Sequence, residues 1–269
     1  MADTIDKLTV HISPCPNDIF TFAGLILNKV PWDGPTLIFT YQDIENLNQI
    51  GLSSQKPDIL KCSFALLPKL LETYNLCSTG SALGMGVGPL LIGNKNIAIK
   101  DIEKILIPGE NTTAALLTKR YLPSIELQPI PYHNIIDKLK DNKNYAGVII
   151  HESRFTYQNH QMEILHDLGA SWEKETKLPL PLGGIVLKKN LSTKISQSFT
   201  AALKKSLEWS YLNRIELYPL LKDHAQELST EVINRHIELY VNKFTVDLND
   251  IGEKSIKKLC ELSSLDLIK

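Results

Sequence analysis

The feature that most constrains the fold is a regular alternation of short apolar strands with amphipathic helices, which starts near the N-terminus. The first strand is predicted at 8–12 and the first helix at 18–28, where Ile19, Phe22 and Ile26 share one face. The same alternation predicts strands at 37–41, 58–62 and 76–79, and helices at 44–50 and 64–74. Strands and helices that alternate through short loops favour a mostly parallel sheet covered by helices.

Two breaks rich in glycine and proline interrupt this alternation, at 80–89 and at 178–184. An apolar strand follows each break, at 90–92 and at 185–187. The pattern between the breaks predicts strands at 104–107, 125–130 and 147–150 and helices at 112–121 and 135–140; helices at 195–213, 215–224, 230–242 and 248–267 follow the second break. The breaks predict two crossings between two α/β lobes, with the ligand cleft between the lobes.

The predicted crossings divide the chain into two unequal parts. Residues 1–92 plus 182–269 form the larger, discontinuous lobe, and residues 93–181 form the smaller, continuous lobe. The fold class is therefore α/β with two lobes.

Composition and the N-terminus exclude several classes of protein. The chain has 269 residues and a formal net charge of −1, whereas nucleic-acid binding usually needs a basic face, so we expect no nucleic-acid partner. No apolar run approaches the roughly 18 residues that a membrane span needs, so we expect no membrane insertion. The N-terminus lacks a basic start followed by an apolar stretch, which favours a cytoplasmic protein.

Sequence motifs for familiar cofactors and metals are missing. The four cysteines, Cys15, Cys62, Cys77 and Cys260, form no Cys-x-x-Cys pair, and no histidine stands at zinc-finger spacing from them. The sequence contains neither a P-loop nor the glycine spacing of a dinucleotide-binding turn. We therefore expect no metal and no organic cofactor.

Polar residues follow the first three predicted strands. They are Ser13, Asn17 and Asp18 after the first strand, Asp43 and Asn48 after the second, and Ser63 after the third. Because ligands of α/β folds bind at the carboxyl ends of strands, these six residues are candidates for substrate binding. Each also fits a simpler role as a helix cap or as part of a solvated helix start, so both interpretations stay open.

A fourth candidate lies at 108–114, where a strand ends and a helix begins. Gly109 allows the turn, and Thr112, Thr113 and Ala114 open the helix. Free N–H groups and hydroxyls at a helix N-terminus can hold a carboxylate or a phosphate. We expect ligand contact here, with simple capping as the alternative.

The candidate for catalysis is His151. It follows the apolar run Val148-Ile149-Ile150, so it lies at the carboxyl end of a predicted strand that faces the cleft. Imidazole, with an unperturbed pKa of about 6.5, is suited to general-base chemistry near neutral pH. If the strand pleat continues, the side chain of Glu152 points away from that of His151.

Several of these segments together resemble the 1,4-dihydroxy-6-naphthoate synthases of the futalosine route to menaquinone. The matching segments, in chain order, are 13–18, 80–84 with Gly86, Gly88 and Pro89, 108–109 with 112–114, 151–152, 154–157, 167–169, 172–173 and 180–184. They span most of the chain and leave only its helical C-terminal quarter without a signature.

The resemblance implies a periplasmic-binding-protein-like fold of type II that acts as a cytoplasmic lyase without metal or organic cofactor. The implied small-molecule substrate is cyclic dehypoxanthine futalosine, which is converted to 1,4-dihydroxy-6-naphthoate with release of the ribose-derived part. The histidine that matches His151 is the general base implied by the resemblance, and the groups that match Asn48, Ser63, Thr112 and Thr113 line the pocket.

Two other functions stay open at this point, as does the oligomeric state. Chorismate dehydratase of the same route shares the fold, and a solute-binding protein of a transporter would share it too. An apolar face of the last helix could serve a homodimer or the chain's own core; its residues are Leu248, Ile251, Ile256, Leu259 and Leu262.

Overall fold

A computed structural model describes residues 6–224 and 229–265. Its strands are β1 (Lys7–Ile12), β2 (Thr36–Tyr41), β3 (Ile59–Ser63), β4 (Tyr74–Leu76), β5 (Ala82–Gly84), β6 (Leu90–Asn94), β7 (Lys104–Ile107), β8 (Glu126–Pro129), β9 (Tyr145–Ile149), β10 (Met162–Asp167) and β11 (Leu180–Lys188). Its α-helices are α1 (Pro16–Ile26), α2 (Ile44–Leu52), α3 (Leu67–Leu70), α4 (Thr113–Tyr121), α5 (Ile135–Asp141), α6 (Ser153–Thr156), α7 (Leu168–Thr176), α8 (Thr193–Leu212), α9 (Arg214–His224), α10 (Thr230–Tyr240), α11 (Lys243–Val246) and α12 (Asp250–Leu265).

The strands form two separate sheets. The first has the order β2-β1-β3-β11-β4, with β5 also paired to β11, and the second has the order β10-β6-β9-β7-β8. Strands β1, β2 and β3 are parallel, as are β7, β8 and β9. Strands β6 and β11 run antiparallel to their neighbours, so each sheet is mixed rather than mostly parallel.

The second glycine- and proline-rich segment is not a break, contrary to the prediction. Residues 180–184 belong to the nine-residue strand β11, which pairs with β5 at its start and with β3 further along. The pairing shifts register between Pro181 and Gly183. Such an irregularity tolerates a proline, which has no N–H for the sheet. The prediction took an irregularity within one strand for an interruption between two elements.

Two other element predictions were wrong or incomplete. The helix expected at 64–74 is a 3-10 turn, Phe64–Leu66, followed by the one-turn α3, and Pro68 stands at the second position of α3. A proline at a helix start has the right φ but cannot continue an earlier helix. Strand β10 and helix α7 were missed, because Glu163, His166 and Asp167 hide the apolar alternation of a strand that is only half buried.

One of the three hydrophobic clusters among the described residues is shared by the two sheets. A single cluster of buried residues contains Leu60 and Cys62 of β3 together with Ile105 and Val148 of the second sheet. Trp172, from α7, is fully buried in the same cluster, and its Nε1 donates to the carbonyl of Leu178 at 3.0 Å. The lobes therefore pack against each other through apolar side chains.

The apolar face of α12 lies largely in this shared core. Leu248, Ile256, Leu259 and Leu262 are each less than 10% exposed, whereas Ile251 is 50% exposed. This packing favours the intramolecular role of the face, and a homodimer stays a prediction. Among the residues described, no helix has both the length and the apolar character needed to cross a membrane.

The glycine-rich loop before β6 is held from three sides. Arg154 donates to the carbonyls of Gly86 and Gly88, and Glu173 accepts from the N–H of Gly86 at 2.6 Å. A Cβ atom placed on Gly88 would lie 2.2 Å from the Cα of Gly169 at the start of α7. Because two backbones meet here without side chains, neither glycine can be enlarged without moving a whole element.

We expect Gly88→Ala to lower the free energy of unfolding by about 1–3 kcal/mol, the usual cost of overpacking. Urea unfolding followed by circular dichroism measures this change. The matched control is Gly86→Asn, because nothing lies within 4 Å of an added Cβ there and asparagine tolerates the φ of 68°. Equal stability of both variants would contradict the close-contact argument.

Candidate functional site

The site is a cavity between the two sheets, with an empty volume of about 660 Å³ that includes its open side. It is lined by the loop between β1 and α1, the end of β3, the start of α4, the turn after β9 and one face of α10. The lining residues are Ser13, Asn17, Asp18, Ile44, Lys61, Ser63, Ala82, Val87, Gly88, Pro89, Thr112, Thr113, Ala114, Ile150, His151, Leu182, Gly183, His236 and Tyr240.

A buried ion pair lies in the wall of this cavity. Lys61 of β3 contacts Asp18 of α1 with Nζ and Oδ1 2.5 Å apart, and their side chains are 5% and 2% exposed. The Oδ2 of Asp18 accepts from the Ser13 hydroxyl at 2.6 Å, and Oδ1 also accepts from Asn17 Nδ2 at 2.9 Å. Since buried charges need a partner and further hydrogen bonds, these four residues stabilise one another.

The hydrogen-bond chain continues into helix α10. Asn17 donates through Nδ2 to Asp18, so its Oδ1 is the atom that faces Nε2 of His236, at 2.9 Å. His236 is fully buried, and its ring lies 4.6 Å from the ring of Tyr240. Burial lowers the pKa of His236 well below its usual value, and the nearby His151 and Lys61 lower it further.

His151 lies two residues beyond the end of β9, in a left-handed conformation with φ 55°. Its Nδ1 is 3.3 Å from Sγ of Cys15, and the Tyr132 ring packs edge-on at 5.1 Å. The Nε2 atom is buried and has no hydrogen-bond partner among the described residues. Burial lowers the pKa of His151 to about 4, so the imidazole is neutral at physiological pH.

Glu152 lies beside His151, contrary to the expectation that the strand pleat would separate them. Strand β9 ends at Ile149, so the alternation of side chains has stopped before His151. The carboxyl oxygen of Glu152, Sγ of Cys15 and a ring nitrogen of His151 all lie within 4.8 Å of one another. Three polar side chains therefore lie together here, whereas the sequence predicted His151 alone.

These three groups are of the types that bind zinc, which the cysteine and histidine spacing did not predict. Without a metal ion, burial together with the nearby Glu152 raises the pKa of the Cys15 thiol well above its usual value. The thiol then keeps its proton and can take part in hydrogen bonds.

Both threonines at the start of α4 use their hydroxyls within the protein. Thr112 caps the helix, since its hydroxyl donates to the carbonyl of Gly109 at 2.9 Å and accepts from Ala115 N–H. Thr113 donates to the carbonyl of Leu182 at 2.9 Å, in the crossing strand β11. Thr113 and Ala114 line the cavity, and their N–H groups have no acceptor inside the helix, so these amides, rather than the hydroxyls, are suited to an anion.

Three other candidates support the cavity without lining it. Asn48 is fully buried and bonds both Ser63 and the carbonyl of Asn111. Asp43 caps α2 by accepting from Asn46 N–H at 3.0 Å. A Cβ on Gly109 would lie 2.4 Å from the side chain of Glu45, because φ is 145° and the backbone passes close to that side chain. Their predicted contact with substrate stays a prediction.

Comparisons with known proteins agree on one family. A family model described as menaquinone biosynthesis matches residues 8–264. The chain belongs to this family. A 1,4-dihydroxy-6-naphthoate synthase of Streptomyces coelicolor is 36% identical over 260 residues, which cover 94% of this chain and 92% of that protein. A 1,4-dihydroxy-6-naphthoate synthase of Thermus thermophilus is 34% identical over 255 residues, which cover 95% of this chain and 93% of that protein.

Solved structures confirm the predicted fold of this menaquinone biosynthesis protein. A crystal structure from Archaeoglobus fulgidus has a TM-score of 0.92 at 28% identity, and the match covers 98% of this chain and 99% of that one. The periplasmic aliphatic sulphonate binding protein of Escherichia coli has a TM-score of 0.66 at 11% identity, with 98% and 88% covered. The second likeness shows the periplasmic-binding-protein-like fold alone.

Sequence reasoning missed Lys61, His236 and Tyr240 of this family member. Two signals were available. Lys61 interrupts an otherwise apolar strand, and a charge inside a fully buried strand needs a buried partner. His236 stands among Ile233, Ile237 and Tyr240, on the apolar face of its helix. What the sequence does not show is that both residues meet the loop at 13–18.

We expect Lys61→Met to lower the free energy of unfolding by about 3–5 kcal/mol, because it leaves Asp18 buried without its cation. Urea unfolding measures this change. The control is Lys29→Met, which removes one side of the half-exposed pair Lys29–Glu216 and should cost at most about 1 kcal/mol. Similar losses of unfolding free energy in both variants would show that the buried pair contributes no more to stability than the half-exposed pair.

Proposed function

We propose that the protein is a carbon–carbon lyase that converts cyclic dehypoxanthine futalosine to 1,4-dihydroxy-6-naphthoate, with His151 as general base. The observation that carries the proposal is a neutral imidazole in the cavity wall with a nitrogen that has no partner among the described residues. The names of the two curated relatives support the reaction.

The start of α4 holds the substrate carboxylate in this proposal. The amides of Thr113 and Ala114 lie at the positive end of the helix dipole and border the cavity. Lys61 is held by Asp18, so this cation is already neutralised and does not compete for the carboxylate. The substrate is thereby oriented with its anionic end toward the smaller lobe.

Cys15 and Glu152 orient the base. The Cys15 thiol keeps its proton because its pKa is raised, and the carboxyl group of Glu152 is near enough to approach it. With the thiol proton directed to Glu152, Sγ accepts from His151 Nδ1–H, which leaves the Nε2 lone pair free. Nε2 then takes a proton from the substrate, the carbon–carbon bond to the ribose-derived part breaks, and the ring becomes aromatic.

The other two functions considered from the sequence have less support. Chorismate dehydratase shares the fold but is not the name of either curated relative. The likeness to solute-binding proteins is at 11% identity and concerns the fold only.

The decisive experiment is incubation of the purified protein with cyclic dehypoxanthine futalosine and mass detection of the naphthoate. Chorismate, incubated in parallel, tests the dehydratase function. Formation of the naphthoate supports the proposal. Consumption of chorismate alone would replace it, and tight binding of the futalosine derivative without turnover would favour a binding protein.

We expect His151→Asn to lower kcat about 10²- to 10⁴-fold, the usual loss when a general base is removed. Asparagine tolerates the left-handed backbone at this position and keeps a polar atom near Cys15, so the fold should survive. The control is His133→Asn, at an exposed histidine of the same lobe. Near-parent kcat in His151→Asn would make Glu152 the next candidate for the base.

The pH profile gives an independent test. A base works when deprotonated, and His151 loses its proton above a pKa of about 4 instead of the usual 6.5. We therefore expect kcat/KM to be flat from pH 6 to 8 and to fall only as the pH drops toward 4. A profile that still rises between pH 6 and 7 would show that the imidazole is solvated in the working enzyme.

A further inference from the structure

His236 has one ring nitrogen to which the proposed reaction assigns no role. Its Nε2 faces Asn17 Oδ1 at 2.9 Å, whereas its Nδ1 is buried and has no hydrogen-bond partner among the described residues. The residue is fully buried, yet its ring forms part of the cavity wall. Because an unsatisfied buried polar atom is costly and His236 lines the cavity, we look for the partner of Nδ1 in a group bound there.

The hydrogen-bond chain fixes which nitrogen carries the proton. Lys61 and Asn17 both donate to Asp18, so the Asn17 amide presents its oxygen, and only an N–H can bond to that oxygen. His236 Nε2 is therefore protonated. The pKa of the ring is lowered well below its usual value by burial, so the ring is neutral and Nδ1 keeps its lone pair.

An acceptor of this kind selects the chemistry of its ligand. A lone pair held in a dry site repels a carboxylate and needs an O–H or N–H donor. The rings of His151 and His236 are nearly parallel, with centroids 6.4 Å apart, so a group bound at Nδ1 lies close to the base. The donor therefore belongs near the reacting end of the substrate, away from its carboxylate.

We propose that His236 binds a hydroxyl group of the substrate through Nδ1 and so positions the bond that breaks beside His151. This inference rests on the proposed function. The hydroxyl has two sources, the ribose-derived part or the ring system, and both offer the same donor chemistry.

Two substitutions separate the two nitrogens of His236. In His236→Gln the side-chain amide can still donate to Asn17 but cannot accept at the place of Nδ1. In His236→Asn the shorter amide can place its oxygen near Nδ1 but loses the bond to Asn17. We expect kcat/KM with cyclic dehypoxanthine futalosine to fall about 10- to 100-fold in His236→Gln and less than tenfold in His236→Asn. The reverse order would overturn the proposal, because it would show that His236 only holds Asn17.

Binding of the naphthoate product to His236→Gln, measured by calorimetry, distinguishes the sources. Unchanged affinity assigns the hydroxyl to the ribose-derived part, and weakened affinity assigns it to the ring system. Circular dichroism and thermal unfolding check that both variants fold.

The parent protein gives a test that depends on neither variant nor turnover. Long-range ¹H–¹⁵N correlation spectra of histidine-labelled protein report which ring nitrogen is protonated. We expect His236 to be neutral and protonated at Nε2, and its Nδ1 signal to move when cyclic dehypoxanthine futalosine is added. Protonation at Nδ1 would overturn this inference even if the enzyme makes the naphthoate. Absence of turnover with the expected tautomer would instead count against the proposed function.

Discussion

The contact between Lys61 and Asp18 is the constraint on which the rest of the site depends. Taking both charges out of water is costly. Their attraction repays that cost only if the remaining hydrogen-bonding positions of the two groups are filled. Ser13 and Asn17 fill them, and this requirement sets the conformation of the loop that begins α1. The same loop places Cys15 against His151 and Asn17 against His236. One buried ion pair thus fixes the positions of both imidazoles.

Much of the architecture was predictable because it depends on local patterns. Apolar runs and helical periodicity are properties of a few neighbouring residues, so β1, β2, β7 and the C-terminal helices were found close to their observed bounds. The loop at 13–18 and the start of α4 were recognised as candidates because residues that border a ligand in an α/β fold follow strands. His151 was singled out as a candidate by the same reasoning.

The parts that could not be predicted depend on contacts between distant residues. His236, the partner of Asn17, is 219 positions away in the chain. No sequence pattern near His236 indicates this contact. The pleat rule failed for Glu152 because the end of β9 is set by pairing with β6 and β7, which a single strand does not reveal. The lowered pKa of His151 could not be predicted for the same reason, since the groups that bury the ring come from both lobes.

The core shared by the two sheets limits how small molecules can enter and leave the cavity. Here Leu60 and Cys62 pack in one cluster with Ile105 and Val148, so wide separation would wet apolar surface at about 25 cal/mol per Å². Small molecules therefore have to enter and leave the cavity without a wide separation of the two sheets. The apolar contacts between the sheets thus hold the cavity close to one shape.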